Sequence, residues 1–258
     1  MEKNIESTNT DIKRINNKIV DFHTHIIPNI DDGSSSYQET KMMIQTLFDS
    51  GVKSFVVTPH FYAENETPEI FLKRRENAIN LLKKNLVSEN ISFGSTMYVG
   101  VEVEYFENIS FYDNLENLCI QGTNTLLLEL PFNKMPEIVL KEILNIKDRG
   151  FTPLIAHCER YVGFAKFKNL FDLFFEYDIP VQCNCNFFLK QFQFRNPFKL
   201  LEKRKIAVIG SDCHNMNIRK PNISQAIEKI EKNSTEFVIE NIVYNQNQFL
   251  KNANKIYI

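Results

Sequence analysis

No stretch of this 258-residue chain is apolar for long enough to cross a bilayer. The first residues, Met1 to Lys18, are polar and lack the apolar core of a secretion signal. A dominant charge sign is missing too. The 30 Lys and Arg stand against 32 Asp and Glu, a formal −2, so no global basic field draws in nucleic acid. No internal repeat, low-complexity segment or Gly/Ser linker divides the chain, so residues 19–258 read as one domain behind an N-terminal extension, 1–18. The five cysteines are an odd number at irregular spacings. Without an export signal they read as reduced thiols, and the expected location is the cytoplasm.

What the chain does have is an alternation of short apolar runs with helical patterns. Strands are expected at 19–22, 54–57, 97–103, 125–130, 152–156, 180–185 and 205–209. Runs of this length, bounded by turn residues, suit strands buried on both faces of a parallel sheet. Helical patterns lie between and after them. Ser36-Tyr37-Gln38-Glu39 is a capping-box-like start, and Gly51 a stop. Thr67-Pro68-Glu69 opens a long amphipathic stretch through Leu86, with Pro in the first turn. Further helices are expected at 137–149, 164–177, 197–203, 222–232 and 235–251. About seven strand–helix units in a chain of this length fit an α/β barrel better than an open sheet. The expected fold is a distorted barrel with fewer than eight units.

All five histidines fall in short signatures that end expected strands: Asp21-Phe22-His23-Thr24-His25, Thr58-Pro59-His60, Ala156-His157 and Ser211-Asp212-Cys213-His214. Glu102 and Glu129 stand at two more strand ends. In a (β/α) barrel all those ends meet on one face, where active sites lie. Residues scattered through the sequence would therefore converge. Alternate residues of an extended segment share a side, so His23 and His25 can grip one ion together, and Asp212 with His214 can repeat the arrangement. Period two also pairs Glu102 with Glu104; Glu102 is nearer the strand end. Each residue alone is more often a satisfied polar group than a ligand, but the whole set at barrel tops points to a multi-metal site. Imidazole and carboxylate together suit Mn, Fe or Zn better than Ca or Mg, and such sites commonly hydrolyse phosphate esters.

Asp21-Phe22-His23-Thr24-His25 followed by Pro28-Asn29-Ile30-Asp31-Asp32-Gly33 resembles the opening motif of the polymerase-and-histidinol-phosphatase (PHP) superfamily. More narrowly it resembles bacterial PHP-type protein-tyrosine phosphatases of capsule and exopolysaccharide operons. Thr58-Pro59-His60, Gly100-Val101-Glu102, Leu128-Glu129, His157-Cys158-Glu159-Arg160-Tyr161 and Gly210-Ser211-Asp212-Cys213-His214-Asn215 follow in that family's order. The resemblance spans Val20 to about Pro221. It implies a distorted (β/α)7 barrel and three divalent metal ions, manganese first, iron or zinc as alternatives. One ion would take His23, His25, Glu102 and Asp212. A second would share Glu102 and take Glu129 and His157, and a third would take Asp32, His60 and His214. Arg160 and Arg219 match family arginines that hold the phosphate, work suited to a planar two-pronged donor. For each, the plainer alternative is a loop salt bridge or a solvated arginine.

The implied activity is phosphotyrosine hydrolysis, with the Tyr-rich tail of a bacterial tyrosine kinase as substrate, no nucleic-acid partner and no membrane insertion. Histidinol-phosphate phosphatase and a PHP phosphodiesterase remain as alternatives. Cys183 and Cys185 are expected to pack as small hydrophobes while Asn184 points the other way; a CxC metal clip is the alternative. Two segments are left open: the extension 1–18, disordered or a homo-oligomer contact, and the Phe-rich loop 187–198, either core, a substrate-ring contact or a subunit contact.

Overall fold

A computed structural model describes residues 15–131, 136–162, 168–190 and 196–258. The strands are β1 (Val20–Thr24), β2 (Ser54–Val57), β3 (His60–Phe61), β4 (Thr96–Val99), β5 (Glu102–Glu104), β6 (Thr125–Glu129), β7 (Thr152–Ile155), β8 (Gln182–Asn184), β9 (Val208–Gly210) and β10 (Ile256–Tyr257). The helices are α1 (Tyr37–Asp49), α2 (Pro68–Ser88), α3 (Pro136–Asp148), α4 (Glu159–Val162), α5 (Lys168–Glu176), α6 (Asn186–Leu189), α7 (Pro197–Glu202), α8 (Ile223–Asn233) and α9 (Glu236–Phe249). Two 3₁₀ turns, Ile109–Phe111 and Leu115–Leu118, lie between β5 and β6. Residues 1–14 of the extension, 164–167 of the helix expected at 164–177 and 191–195 of the Phe-rich loop lie outside the described residues.

Local chemistry explains the element ends. Ser36 Oγ accepts the Glu39 amide at the start of α1. The Glu39 carboxylate reaches back to Ser35 N–H and Oγ rather than to Ser36. Gly51, with φ +92°, closes the helix in a left-handed conformation that costs glycine nothing. Thr67 caps α2 and Pro68 occupies its first turn, where the missing N–H is no loss.

The strands form three sheets, ordered β1-β2-β4-β10, β3-β5-β6-β7 and β8-β9. Every neighbouring pair is parallel except β10 on β4. This is a mixed α/β fold. The expected strand 97–103 is two strands, and the reason lies next door. Pro59 has no N–H to give the ladder, so β2 and β3 part at Thr58-Pro59, and β4 and β5 part opposite them. Gly100 N–H to Val57 O (2.8 Å) and Glu102 N–H to Pro59 O (3.1 Å) carry the pairing across the gap. Two isolated bridges, Thr24 with Cys213 and Ile155 with Val181, link the β8-β9 pair to β1 on one side and β7 on the other.

A smaller apolar cluster takes Val20 and Phe22 from β1, Val56 from β2, Tyr98 from β4, Leu127 from β6, Leu154 from β7 and Val208 from β9. The main core lies between strands and helices and includes Met43, Ile44 and Leu47 of α1 and Ile227 and Ile230 of α8. Each such side chain contributes roughly 1.5–3 kcal/mol on burial. The two cores fix the strand ends, and the polar residues gather there.

Candidate metal centre

Glu102, fully buried at the start of β5, is the hub. Its Oε2 lies 2.9 Å from His23 Nε2, 3.1 Å from His25 Nε2 and 3.1 Å from His60 Nδ1. Its Oε1 lies 2.6 Å from His157 Nε2. Asp212 Oδ1 faces His25 Nε2 at 3.5 Å, His214 Nδ1 at 3.6 Å and His23 Nε2 at 3.7 Å. Asp32 Oδ1 stands 3.3 Å from His214 Nε2 and 3.6 Å from His60 Nε2. Glu129 Oε1 is 3.9 Å from His157 Nε2.

The structure brings the nine residues named from the sequence together. They fall into four groups able to hold an ion: His25, Asp32, His60 and His214; His23, His25 and Glu102; His23, His157 and Asp212; and His60, Glu102 and Glu129. The groups share members, as a multinuclear site would require. A fifth group, Cys158, Glu159 and Cys183, was not singled out from the sequence as a metal site.

The local backbone differs from simple strand alternation. β9 ends at Gly210, and Asp212 and His157 both adopt left-handed backbone, φ +54° and +55°. Asp212 and His214 therefore meet through a bend. Non-glycine residues in this region are strained, and such strain clusters at functional sites.

Several atoms have the look of ligands. Among the described residues, His60 Nδ1, His214 Nε2 and Asp212 Oδ1 are buried without a hydrogen-bond partner, and His23 Nε2 faces His25 Nε2 at 3.1 Å. Buried polar atoms without partners are costly. Two imidazole nitrogens pointing at one spot suit a cation between them, and the donor set fits a borderline divalent metal. The electrostatics agree. Burial alone would push the His25 pKa down, but hydrogen bonds to Asp31 and Glu102 raise it to about 10. Burial likewise opposes charge on His157, and Glu102 overrides it, raising its pKa to about 9. Burial would raise the Glu102 pKa, yet the His23 and His157 charges hold it well below the usual carboxylate range. At His214 burial wins, with the His25 charge adding to it, and the pKa falls to about 4. Burial lowers the His60 pKa as well, so charge is favoured on the imidazoles held by Asp31 and Glu102 and disfavoured on the pair beside Asp32.

A supporting layer was not foreseen from the sequence. Asp31 Oδ2 lies 2.7 Å from His25 Nδ1 and accepts the His60 amide. Gln182 Oε1 lies 3.3 Å from His23 Nδ1 and accepts the His157 amide. Asn184 Oδ1 lies 3.2 Å from His157 Nδ1, and its Nδ2 donates to Asp212 Oδ2 at 2.8 Å. Such partners fix the ring orientation and tautomer of a metal-ligating histidine. The Asp31-Asp32 pair was the one visible signal, and only its second member was marked. Tyr62 was also missed; its ring stacks on His60 at 5.1 Å and 23°.

Both arginines reach the cluster. Arg160 Nη1 ion-pairs with Glu129 Oε1, and Arg219 Nη2 lies 2.7 Å from Asp212 Oδ2. Each side chain is about a third exposed. The salt-bridge alternative for Arg160 therefore falls on Glu129. Cys158, Cys183, Cys185 and Cys213 are buried in the main core, while Asn184 faces the histidines.

A family model described as "Capsular polysaccharide synthesis, CpsB/CapC" matches residues 19–256. The chain belongs to the CpsB/CapC family. Among family relatives, the tyrosine-protein phosphatase CpsB of Streptococcus pneumoniae is 25% identical over 224 residues, 83% of this chain and 90% of that protein. The putative tyrosine-protein phosphatase CapC of Staphylococcus aureus is 32% identical over 161 residues, 61% of this chain and 60% of that protein. A crystal structure from work on YwqE from Bacillus subtilis and CpsB from Streptococcus pneumoniae, described as unique metal-dependent tyrosine phosphatases, superposes with a TM-score of 0.76. That match covers 93% of this chain and 97% of the other at 20% identity, so the fold is shared.

Proposed function

We propose that this chain is a metal-dependent protein-tyrosine phosphatase built on a distorted (β/α)7 barrel of the PHP type. One observation carries the reading: four imidazoles converge on the buried Glu102 carboxylate, and three buried ligand-type atoms of the cluster, one of them on those imidazoles, make no hydrogen bond among the described residues. Barrel closure is supported by the two isolated bridges and by the cluster drawn from six strands.

On this reading His23, His25, Asp32, His60, Glu102, Glu129, His157, Asp212 and His214 hold three divalent ions, manganese first, with iron or zinc as alternatives. Bound there, the ions would lower the pKa of a water and offset charge on phosphoryl oxygens. The protein's own groups do the rest. Asp31, Gln182 and Asn184 hold the His25, His23 and His157 rings in place. Arg160 and Arg219, set beside Glu129 and Asp212, turn their guanidinium groups to the phosphoryl oxygens and steady the charge that grows there. Attack by water forms one P–O bond, and the P–O bond to the leaving group breaks.

The substrate proposed is a phosphotyrosine protein, the Tyr-rich tail of a bacterial tyrosine kinase, met in the cytoplasm. The relatives' names and the capsular-synthesis family support it. No helix among the described residues is long and apolar enough to cross a membrane. An independent argument comes from the leaving group. None of the groups here is an evident general acid. A phenol of pKa ~10 leaves as its anion with little help, whereas an alkoxide needs a proton in the transition state. Steady-state kinetics on matched phosphotyrosyl and phosphoseryl peptides, with histidinol phosphate alongside, should show the aryl ester cleaved at least ~100-fold faster in kcat/KM. Preference for histidinol phosphate would replace the tyrosine-phosphatase reading and leave the metal site standing.

A further inference from the structure

Helix α2 carries a charge where its pattern calls for an apolar residue. Its buried face runs Phe71, Arg75, Ile79, Leu82, Leu86, the spacing of a core-facing stripe, and Arg75 is only 4% exposed. Its guanidinium makes one hydrogen bond among the described residues, from Nη1 to the Gly100 carbonyl at 3.0 Å. Among the described residues Nε is buried with no hydrogen-bond partner, and no carboxylate forms an ion pair with the guanidinium. Burial draws its pKa down to about 10 against the opposing pull of Glu76. A buried cation without a counter-charge is costly.

Arg75 also lines a cleft of about 560 Å³, together with Glu76, Glu116, Asn117, Gln121 and Thr123. The volume is that of an ordinary small-molecule site. None of the nine cluster residues lines it. It lies between α2 and the segment leading from the second 3₁₀ turn into β6.

We propose that this cleft binds a small hydroxylated carboxylate, with the carboxylate on Arg75. With Nε shut off from solvent and Nη1 on the Gly100 carbonyl, the Nη end of the guanidinium is what a carboxylate in the cleft would reach, by a charge-assisted hydrogen bond. The Asn117 and Gln121 carboxamides offer both donors and acceptors to hydroxyl groups. Glu76 and Glu116 also accept from hydroxyls, and their charge disfavours a polyanion at the same place.

Isothermal titration of the full-length protein with D-glucuronate, and with uncharged D-glucose as control, tests the assignment. The expected result is saturable binding of glucuronate and none of glucose. Arg75→Met should weaken glucuronate by about tenfold or more, the value of a hydrogen bond to a charged group. Glu116 is exposed at the rim, so Glu116→Gln keeps the fold, removes a repelling charge and should tighten glucuronate by about twofold. Absence of saturable binding would mean a water-filled cleft and overturn the proposal. Glucuronate binding that survives intact in a folded Arg75→Met protein would belong to the metal centre and overturn it too, as would equal binding of glucose. If Arg75→Met does not fold, unchanged or weaker affinity in Glu116→Gln decides against the cleft.

Discussion

Arg160 and Arg219 are the residues whose roles the geometry makes sharpest. Each already lies on a carboxylate of the cluster, Glu129 and Asp212, so each is positioned beside the atoms that would hold the ions. An ammonium would keep the charge but lose the two-pronged donation. Arg160→Lys and Arg219→Lys should each lower kcat/KM for a phosphotyrosyl peptide by about 10–100-fold, the scale of a charge-assisted hydrogen bond or two. Wild-type kinetics in both variants would show that neither arginine touches the phosphate. His157→Ala and Asp212→Ala should abolish turnover while leaving the circular dichroism spectrum near that of the parent; residual activity near normal would remove these residues from the centre. The sequence made eight of the cluster residues legible because strand ends in a barrel concentrate function; Asp32 was carried by the family motif alone. It hid Gln182, Asn184 and Asp31, since an amide or acid near a strand acquires a supporting role only when folding sets a histidine beside it.

Elements decide whether those residues meet. β9 lies against β1 so closely that a Cβ on Gly210 would come within 2.5 Å of His23 Cβ and 2.8 Å of His23 N. Nothing there can yield except the β1 backbone that carries His23. Gly210→Ala should therefore displace His23, weaken metal retention on dialysis and lower stability by roughly 1–3 kcal/mol. Metal content by inductively coupled plasma mass spectrometry and a urea titration measure both effects, and parent-like values would mean that the strands part without harm. Periodicity located seven strand regions well. It could not see the gap at Pro59 and Gly100, since the cause is a missing N–H on one strand felt by its neighbour. The short β3 and β10, two residues each, carry too little pattern to register. The turns placing Asp212 and His157 were equally hidden, because Asp and His, though enriched among left-handed residues, adopt that conformation too rarely to mark a turn.

For the molecule as a whole, the cluster joins parts of the chain that are far apart in sequence, from His23 to His214. Ions that bind only the folded arrangement stabilise it by mass action, about 2.7 kcal/mol per site at a hundredfold excess over Kd. Stripping the metals with a chelator should lower Tm by several degrees, and manganese should restore both Tm and activity. About three ions per chain are expected in the purified protein. An unchanged Tm after complete removal of the metal would show that the strands hold their places without it.

The two left-handed residues at the centre bear on how a binding partner could be captured. Alanine at Asp212 would keep the bend at a backbone cost of roughly 1–2 kcal/mol, and would strip Asn184 and Arg219 of their shared acceptor. Asparagine is at ease in this conformation, and its side-chain oxygen can still accept from one of them. Asp212→Asn thus keeps the bend while exchanging a carboxylate of the proposed ion site for an amide, which makes it the natural bait: a protein expected to turn over little and, on the proposed reading, to stay attached to a phosphoprotein it cannot cleave.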